Sequence, residues 1–238
     1  MVGVLELTEG RGRPRAERWT LLGLELLRVR VPVADKLNGA RRERRVEKGA
    51  KLLARAGVRR VLTAAGFPYW NILERHGLEP VDPGPFCQAH AAPLALAALE
   101  GLGVPPERGT VSLWAPRSSP ALLRAAETLC PRVCRLTVDV PGEGEALAAW
   151  LWREFGAAVL SPEAAPTADT ALWFADGGGA GRVVLRLYAP APDLAGLAFT
   201  PPSGMAGSGL DPLPAMALLW EAGRLDEQKI AISSTSQT

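Results

Sequence analysis

The spacing of hydrophobic and polar positions changes several times along the chain, and each change marks an element. Val2–Leu7 is a short apolar run, and Leu21–Val31 ends in the alternation Arg28-Val29-Arg30-Val31; both read as strands. Between them, Thr8–Pro14 holds glycine, arginine and proline, the composition of a solvated loop. Pro32 stops the second strand. A helix is predicted from about Asp35 to Ala56, with a thin apolar stripe of Leu37, Val46, Ala50, Leu53 and Ala54, and Gly57 stands at its C-terminal cap. Val58–Ala64 is a strand, Gly66-Phe67-Pro68 opens a helix to Arg75 that Gly77 closes, and Leu78–Val81 is extended again. After Pro83-Gly84-Pro85, an alanine- and leucine-rich helix runs over about Cys87–Leu102, with Pro93 placed to kink it.

A clearer strand–turn–helix–strand pattern follows: Val111–Trp114, Ala115–Pro120, Ala121–Cys130 and Arg132–Val140. Next come a helix at about Glu143–Phe155, with Leu147, Trp150, Leu151 and Phe155 on one face, a Gly156 cap, and a strand at Ala157–Leu160. Ala171–Ala175 and Val183–Tyr188 read as strands. The short stretch between them, Asp176–Gly181, favours an antiparallel hairpin. Ala189–Pro212 is rich in proline and glycine, a last helix covers about Pro214–Leu225, and Ser233–Thr238 is a polar tail.

In Arg132–Val140, the residues Cys134, Leu136, Val138 and Val140 alternate with Val133, Arg135, Thr137 and Asp139. A strand buried on both faces reads as apolar throughout, so this alternation points to an edge, as in the flavodoxin-like order 2-1-3. The expected fold class is therefore α/β: a Rossmann-like or flavodoxin-like, mostly parallel sheet flanked by helices, with an antiparallel C-terminal hairpin. Gly103–Gly109 is the candidate boundary. It separates an N-terminal α/β lobe with the basic helix, residues 1–105, from a Rossmann-like lobe, residues 106–238, unless the two form one continuous domain.

Composition narrows the class of protein. The chain of 238 residues is 47% hydrophobic and 22% charged, within the soluble globular range. It has no run of 18 apolar residues, and Met1–Leu7 lacks the basic start of a signal peptide. Three cysteines, an odd number, fit a reducing compartment, so the cytoplasm is expected. The net charge of +2 does not imply a polyanionic partner, yet ten basic residues between Lys36 and Arg60 face only Glu43 and Glu47. Arg41, Arg42, Arg44, Arg45 and Lys48 do not keep to one narrow face of that helix, and no aromatic residue interleaves them. A solvated surface helix is the plainer reading. A protein partner or self-association ranks above nucleic acid, and no membrane contact is expected.

The turn after Trp114 carries the candidate chemistry. A dinucleotide fold places G-x-G-x-x-G there, and the three glycine positions are Ala115, Arg117 and Pro120 in this chain. A weaker anion site remains: Ser119 as N-cap, Pro120 in the first helical position, the free N–H groups of Ala121 and Leu122, and the Arg117 side chain. Across Gly103–Leu160 the layout resembles the NAD(P)-binding lobe of the shikimate dehydrogenase and glutamyl-tRNA reductase type. The resemblance rests on the segment Val104–Gly109, the strand, turn and helix after it, a second strand ending near Asp139, and Gly144–Ala149 opening the next helix. It implies NAD or NADP as cofactor, with Asp139 near the spacing of the ribose-binding acid. The candidate cofactor-binding residues are Arg117, Ser118, Ser119 and Asp139.

Other chemistries have less support. Cys87-x-x-His90 and Cys130-x-x-x-Cys134 could formally supply four zinc ligands, but thiols packed as small hydrophobes account for all three cysteines. His76 sits beside the Gly77 cap, and no nucleophile elbow or P-loop occurs. No catalytic or metal residue is assigned. The first functional reading is a non-catalytic binding or interaction protein with a degenerate nucleotide site. The alternatives are an NAD(P)-dependent oxidoreductase in which Arg117 replaces backbone contacts to phosphate, and a nucleic-acid-associated protein working through Arg41–Lys48.

Overall fold

Two five-stranded sheets carry the fold in a computed structural model that describes residues 1–34, 39–156, 159–160, 167–189, 191–226 and 229–234. The chain divides into two compact units, Met1–Val81 with Pro201–Ile230, and Asp82–Thr200 with Ala231–Thr238.

The first unit begins with β1 (Val2–Glu9), β2 (Arg15–Leu21), β3 (Leu24–Val33), α1 (Gly39–Arg55), β4 (Arg60–Leu62), α2 (Trp70–Glu74) and β5 (Glu79–Pro80). Its sheet order is β2-β3-β1-β4-β5, parallel except for the antiparallel edge pair β2–β3. The strand expected over Leu21–Val31 is in fact interrupted by a hairpin turn. Leu22 and Gly23 both take positive φ, +46° and +79°, the signature of a two-residue type I′ connection. Because β3 lies between β1 and β2, the loop joining those two must cross the end of β3. There a Cβ on Gly12 would stand 3.6 Å from Pro32.

Helix α1 lies on the face formed by Leu5, Val29 and Val31, into which it buries Val46, Ala50 and Leu53. Gly3 and Gly49 set the approach: a Cβ on the first would stand 2.7 Å from Leu53 and one on the second 2.6 Å from Val31. Of the predicted stripe, Ala54 is only half-buried, and Leu37 with the helix start at Asp35 lies outside the described residues.

The second unit contains α3 (Gly84–Ala89), α4 (Ala91–Gly101), β6 (Thr110–Trp114), α5 (Pro120–Leu129), β7 (Arg135–Asp139), α6 (Gly144–Phe155), β8 (Val159–Leu160), β9 (Ala168–Trp173), β10 (Gly181–Arg186) and β11 (Leu197–Phe199). Helix α7 (Pro212–Glu221) returns to the first unit, and β12 (Ile232–Ser234) pairs antiparallel with β11. The single helix expected over Cys87–Leu102 is two, broken at His90. Pro93 cannot donate to the helix and its ring conflicts with the carbonyl of Ala89. The Gly103–Gly109 segment lies inside this unit. Its Pro106 and Gly109 carbonyls accept from Cys134, and Gly109 accepts from Arg135 as well.

All five strands of the second sheet are parallel, in the order β10-β9-β6-β7-β8. Numbered within the unit this is 5-4-1-2-3, which read from the other edge is the first five strands of the Rossmann order 3-2-1-4-5-6 rather than the flavodoxin order. The edge position inferred for Arg132–Val140 is therefore corrected: β8 pairs with Leu136 and Thr137, and β7 is internal. The polar residues behind that inference sit at the strand's ends, Arg135 exposed and Asp139 half-buried, whereas Thr137 is buried.

The hairpin expected between Ala171–Ala175 and Val183–Tyr188 is also corrected. These strands pair in parallel, Ala168 beside Gly181 and Trp173 beside Arg186. Antiparallel pairing occurs instead at β11–β12, as it does at the β2–β3 edge of the first unit. The return from Trp173 to Gly181 must cover five residues of strand, about 17 Å. Its eight steps can reach about 28 Å when extended, so a strap without helix suffices. The strap lies flat on indoles: a Cβ on Gly178 would stand 2.4 Å from Trp173 Nε1 and one on Gly177 3.3 Å from the Trp114 ring. Trp173 Nε1 donates to the Gly179 carbonyl at 3.0 Å.

Candidate functional site

In a sheet of this order, the chain leaves β6 towards one side and β9 towards the other. The crevice between the C-terminal ends of these two strands is the place where such folds hold ligands. Register puts Trp114 beside both Asp139 and Trp173 at that end. In parallel strands such neighbours share a face, so two indoles stand side by side at the switch point, with the Gly177–Gly179 strap against them. Backbone pairing closes the floor, with Ala115 N–H donating to the Asp139 carbonyl and Phe174 N–H to that of Trp114.

The β6–α5 turn folds as its residues dictate. Ser119 is extended at φ −139° and its Oγ accepts from Leu122 N–H at 3.2 Å, the N-cap expected of it, and Pro120 occupies the first helical turn. Arg117 and Ser118 are exposed on the turn. Ser118 is nonetheless hydrogen-bonded. Its N–H donates to Glu143 Oε2 at 3.2 Å and its hydroxyl donates to the same oxygen.

Glu143 precedes α6, directly beyond the end of β7. Its carboxyl is held below the usual carboxylate range by the Ser118 hydroxyl, then by the Ser118 N–H, with the Arg117 charge adding to both. The chain's own carboxylate thus sits against the β6–α5 turn, on the N–H and hydroxyl of Ser118. No local signal singles out Glu143 along the chain, because the contact joins two loops separated by α5 and β7.

The structure therefore gathers Arg117, Ser118 and Ser119 on one turn, with Asp139 at the end of the neighbouring strand. The Asp139 carboxylate has no hydrogen-bond or ion-pair partner among the described residues, and its backbone serves the sheet. Ser119 spends its hydroxyl on the helix cap.

The other singled-out residues are placed elsewhere. Cys87 is fully buried, and its thiol is pushed up to about 12 by burial and then by the charge of Asp82. A protonated thiol at neutral pH is not a nucleophile. His90 Nδ1 lies 2.8 Å from the Phe86 carbonyl oxygen, which fixes the proton on that nitrogen, and the ring packs against both Phe86 and Phe199, which also touch each other. Cys130 is buried, but Cys134 is exposed just before β7, which corrects its expected place on a buried face. Among the described residues no three His, Cys, Asp or Glu side chains converge as a metal site. His76 Nε2 stands 3.9 Å from Glu47 Oε1. On α6, Leu147 and Leu151 are buried as expected, whereas Phe155 is exposed. No described helix is long and apolar enough to cross a membrane.

No protein-family model matches this chain, and no curated protein matches it. Among solved structures it is similar to the crystal structure of L-tryptophan dehydrogenase from Nostoc punctiforme, at 15% identity and a TM-score of 0.31. The match covers 62% of this chain and 44% of that one, so this chain spans less than half of that protein's length.

Proposed function

We propose that this chain is a non-catalytic binding or interaction protein, in which a Rossmann-like unit is retained as scaffold and its nucleotide crevice is closed from within. One observation carries the reading: the Ser118 N–H and hydroxyl are both committed to the Glu143 carboxylate. A bound pyrophosphate would have to displace that anion, and the charge of Arg117 already acts on it. The paired indoles of Trp114 and Trp173 and the glycine strap add bulk where a dinucleotide would lie. Three free thiols suit the cytoplasm.

Titration of NAD(H) and NADP(H) to millimolar concentration, followed by thermal shift, tests this. Ligand that binds only the folded state raises apparent stability by about 2.7 kcal/mol at a hundred times Kd. The expected result is no shift. A saturable rise in Tm, abolished by Asp139→Ala, would instead support the oxidoreductase reading, in which the unpartnered Asp139 carboxylate takes the ribose.

A further inference from the structure

The crossing of the β1–β2 loop over β3 brings together two basic segments that are far apart in sequence. The loop contributes Gly10-Arg11-Gly12-Arg13-Pro14-Arg15, in which all three arginines are exposed. Both segments meet at Pro32. A Cβ on Gly12 would stand 3.6 Å from its ring, and the Arg45 guanidinium of α1 donates to its carbonyl. The register places Arg15 beside Arg30 on the sheet face opposite α1, where Arg30 is paired with Glu6 and Glu17, so Arg15 lies outside the junction.

Helix α1 is also better ordered in charge than its sequence suggests. Arg42 and Arg45 lean inward as half-buried residues, whereas Arg41, Arg44, Lys48, Lys51 and Arg55 are exposed at spacings of three and four. That spacing makes one stripe, with successive side chains about 5–6 Å apart. Over residues 10–15 and 39–48 there are eight basic residues against two acidic, Glu43 and Glu47, in a chain whose total charge is only +2. The excess is local, not a general basicity.

We infer that this end of the first unit, centred on Arg11, Arg13, Arg41, Arg44 and Lys48, is a docking surface for the phosphate backbone of a duplex nucleic acid. Arginine dominates the set, and its planar fork matches phosphate oxygens in pairs. Neither segment exposes a large apolar side chain that could enter a bilayer or anchor a protein interface. Neither carries an aromatic residue on which unpaired bases would stack, which favours a duplex over a single strand and sequence-independent contact. The surface uses no residue of the second unit's crevice, so the duplex titration can fail or succeed whatever the cofactor titration shows.

The test is fluorescence anisotropy of the full chain with labelled 20-base-pair DNA and RNA duplexes between 50 and 200 mM salt. Five phosphate contacts give a slope of log K on log salt near −4.5, about a five-hundredfold loss over that range. Arg11→Ala/Arg13→Ala and Arg44→Ala/Lys48→Ala change only exposed side chains, so circular dichroism and urea midpoints should match the parent. Each pair should make the slope shallower by about 2. Comparison of the two duplexes assigns the source of the phosphates. The inference is overturned by any of three results: no binding at 50 mM salt, a loop variant that binds like the parent, or tighter binding to phosphatidylserine–phosphatidylcholine vesicles than to either duplex.

Discussion

The strap between β9 and β10 offers a matched pair of substitutions, since Gly178 and Gly179 are neighbours with opposite surroundings. Neither has φ in the left-handed region, so backbone strain does not separate them. A Cβ on Gly178 would stand 2.4, 2.5 and 2.7 Å from Trp173 Nε1, Cδ1 and Cε2, whereas one on Gly179 meets nothing within 4 Å. To restore an ordinary contact near 3.4 Å, the indole or the strap must move by about 1 Å. The indole is also held by its hydrogen bond to Gly179, worth about 0.5–1.5 kcal/mol. Overpacking of a fitted contact costs about 1–3 kcal/mol, and Gly178→Ala is expected in that range. Gly179→Ala should be neutral or stabilising by about 0.4–1 kcal/mol, through the lost entropy of the unfolded chain. Urea unfolding followed by tryptophan emission reads both, with lower and unchanged-or-higher midpoints respectively. Equal midpoints for the two variants would refute the strap as a close-packed substitute for a crossover helix.

Gly49→Ala runs against helix propensity. A helix-interior alanine normally gains about 1 kcal/mol over glycine, but here the Cβ would stand 2.6 Å from Val31, so a lower urea midpoint is expected. With a chromogenic disulfide reagent, the folded protein should show one fast thiol, Cys134, removed by Cys134→Ser; Cys87 and Cys130 should react only after unfolding. Arg60 grips Glu221 through two contacts of 2.6 and 3.0 Å and lowers its pKa through that hydrogen bond. The folded carboxylate is the more acidic one, so its contribution is present above about pH 4.3 and is lost as pH falls through the folded value. Both side chains are about half exposed, and screening keeps the pair below about 1 kcal/mol. Glu221→Gln should therefore cost that little at pH 7 in low salt, and the difference from the parent should vanish near pH 3 or in 1 M salt.

Local chemistry was legible in the sequence. Ser119 caps α5 with Pro120 behind it, Gly156 ends α6 in the left-handed conformation, and Val46, Ala50 and Leu53 face the core. These outcomes depend on residues within one or two turns of each other, which is why periodicity and cap rules reach them. The α/β class followed from the same local signals taken in order. What tertiary structure decided was pairing. Val159–Leu160 settles beside β7 and makes it internal, and seven residues of strap let β9 and β10 run parallel. The decisive contacts join residues distant along the chain: Ser118 to Glu143, Trp114 to Trp173, and the arginine loop to α1 at Pro32. Alternation along a strand reports how each side chain is solvated, but not which strand lies beside it. Partner choice is set by burial and hydrogen bonding summed over the whole sheet, and only the folded chain performs that sum.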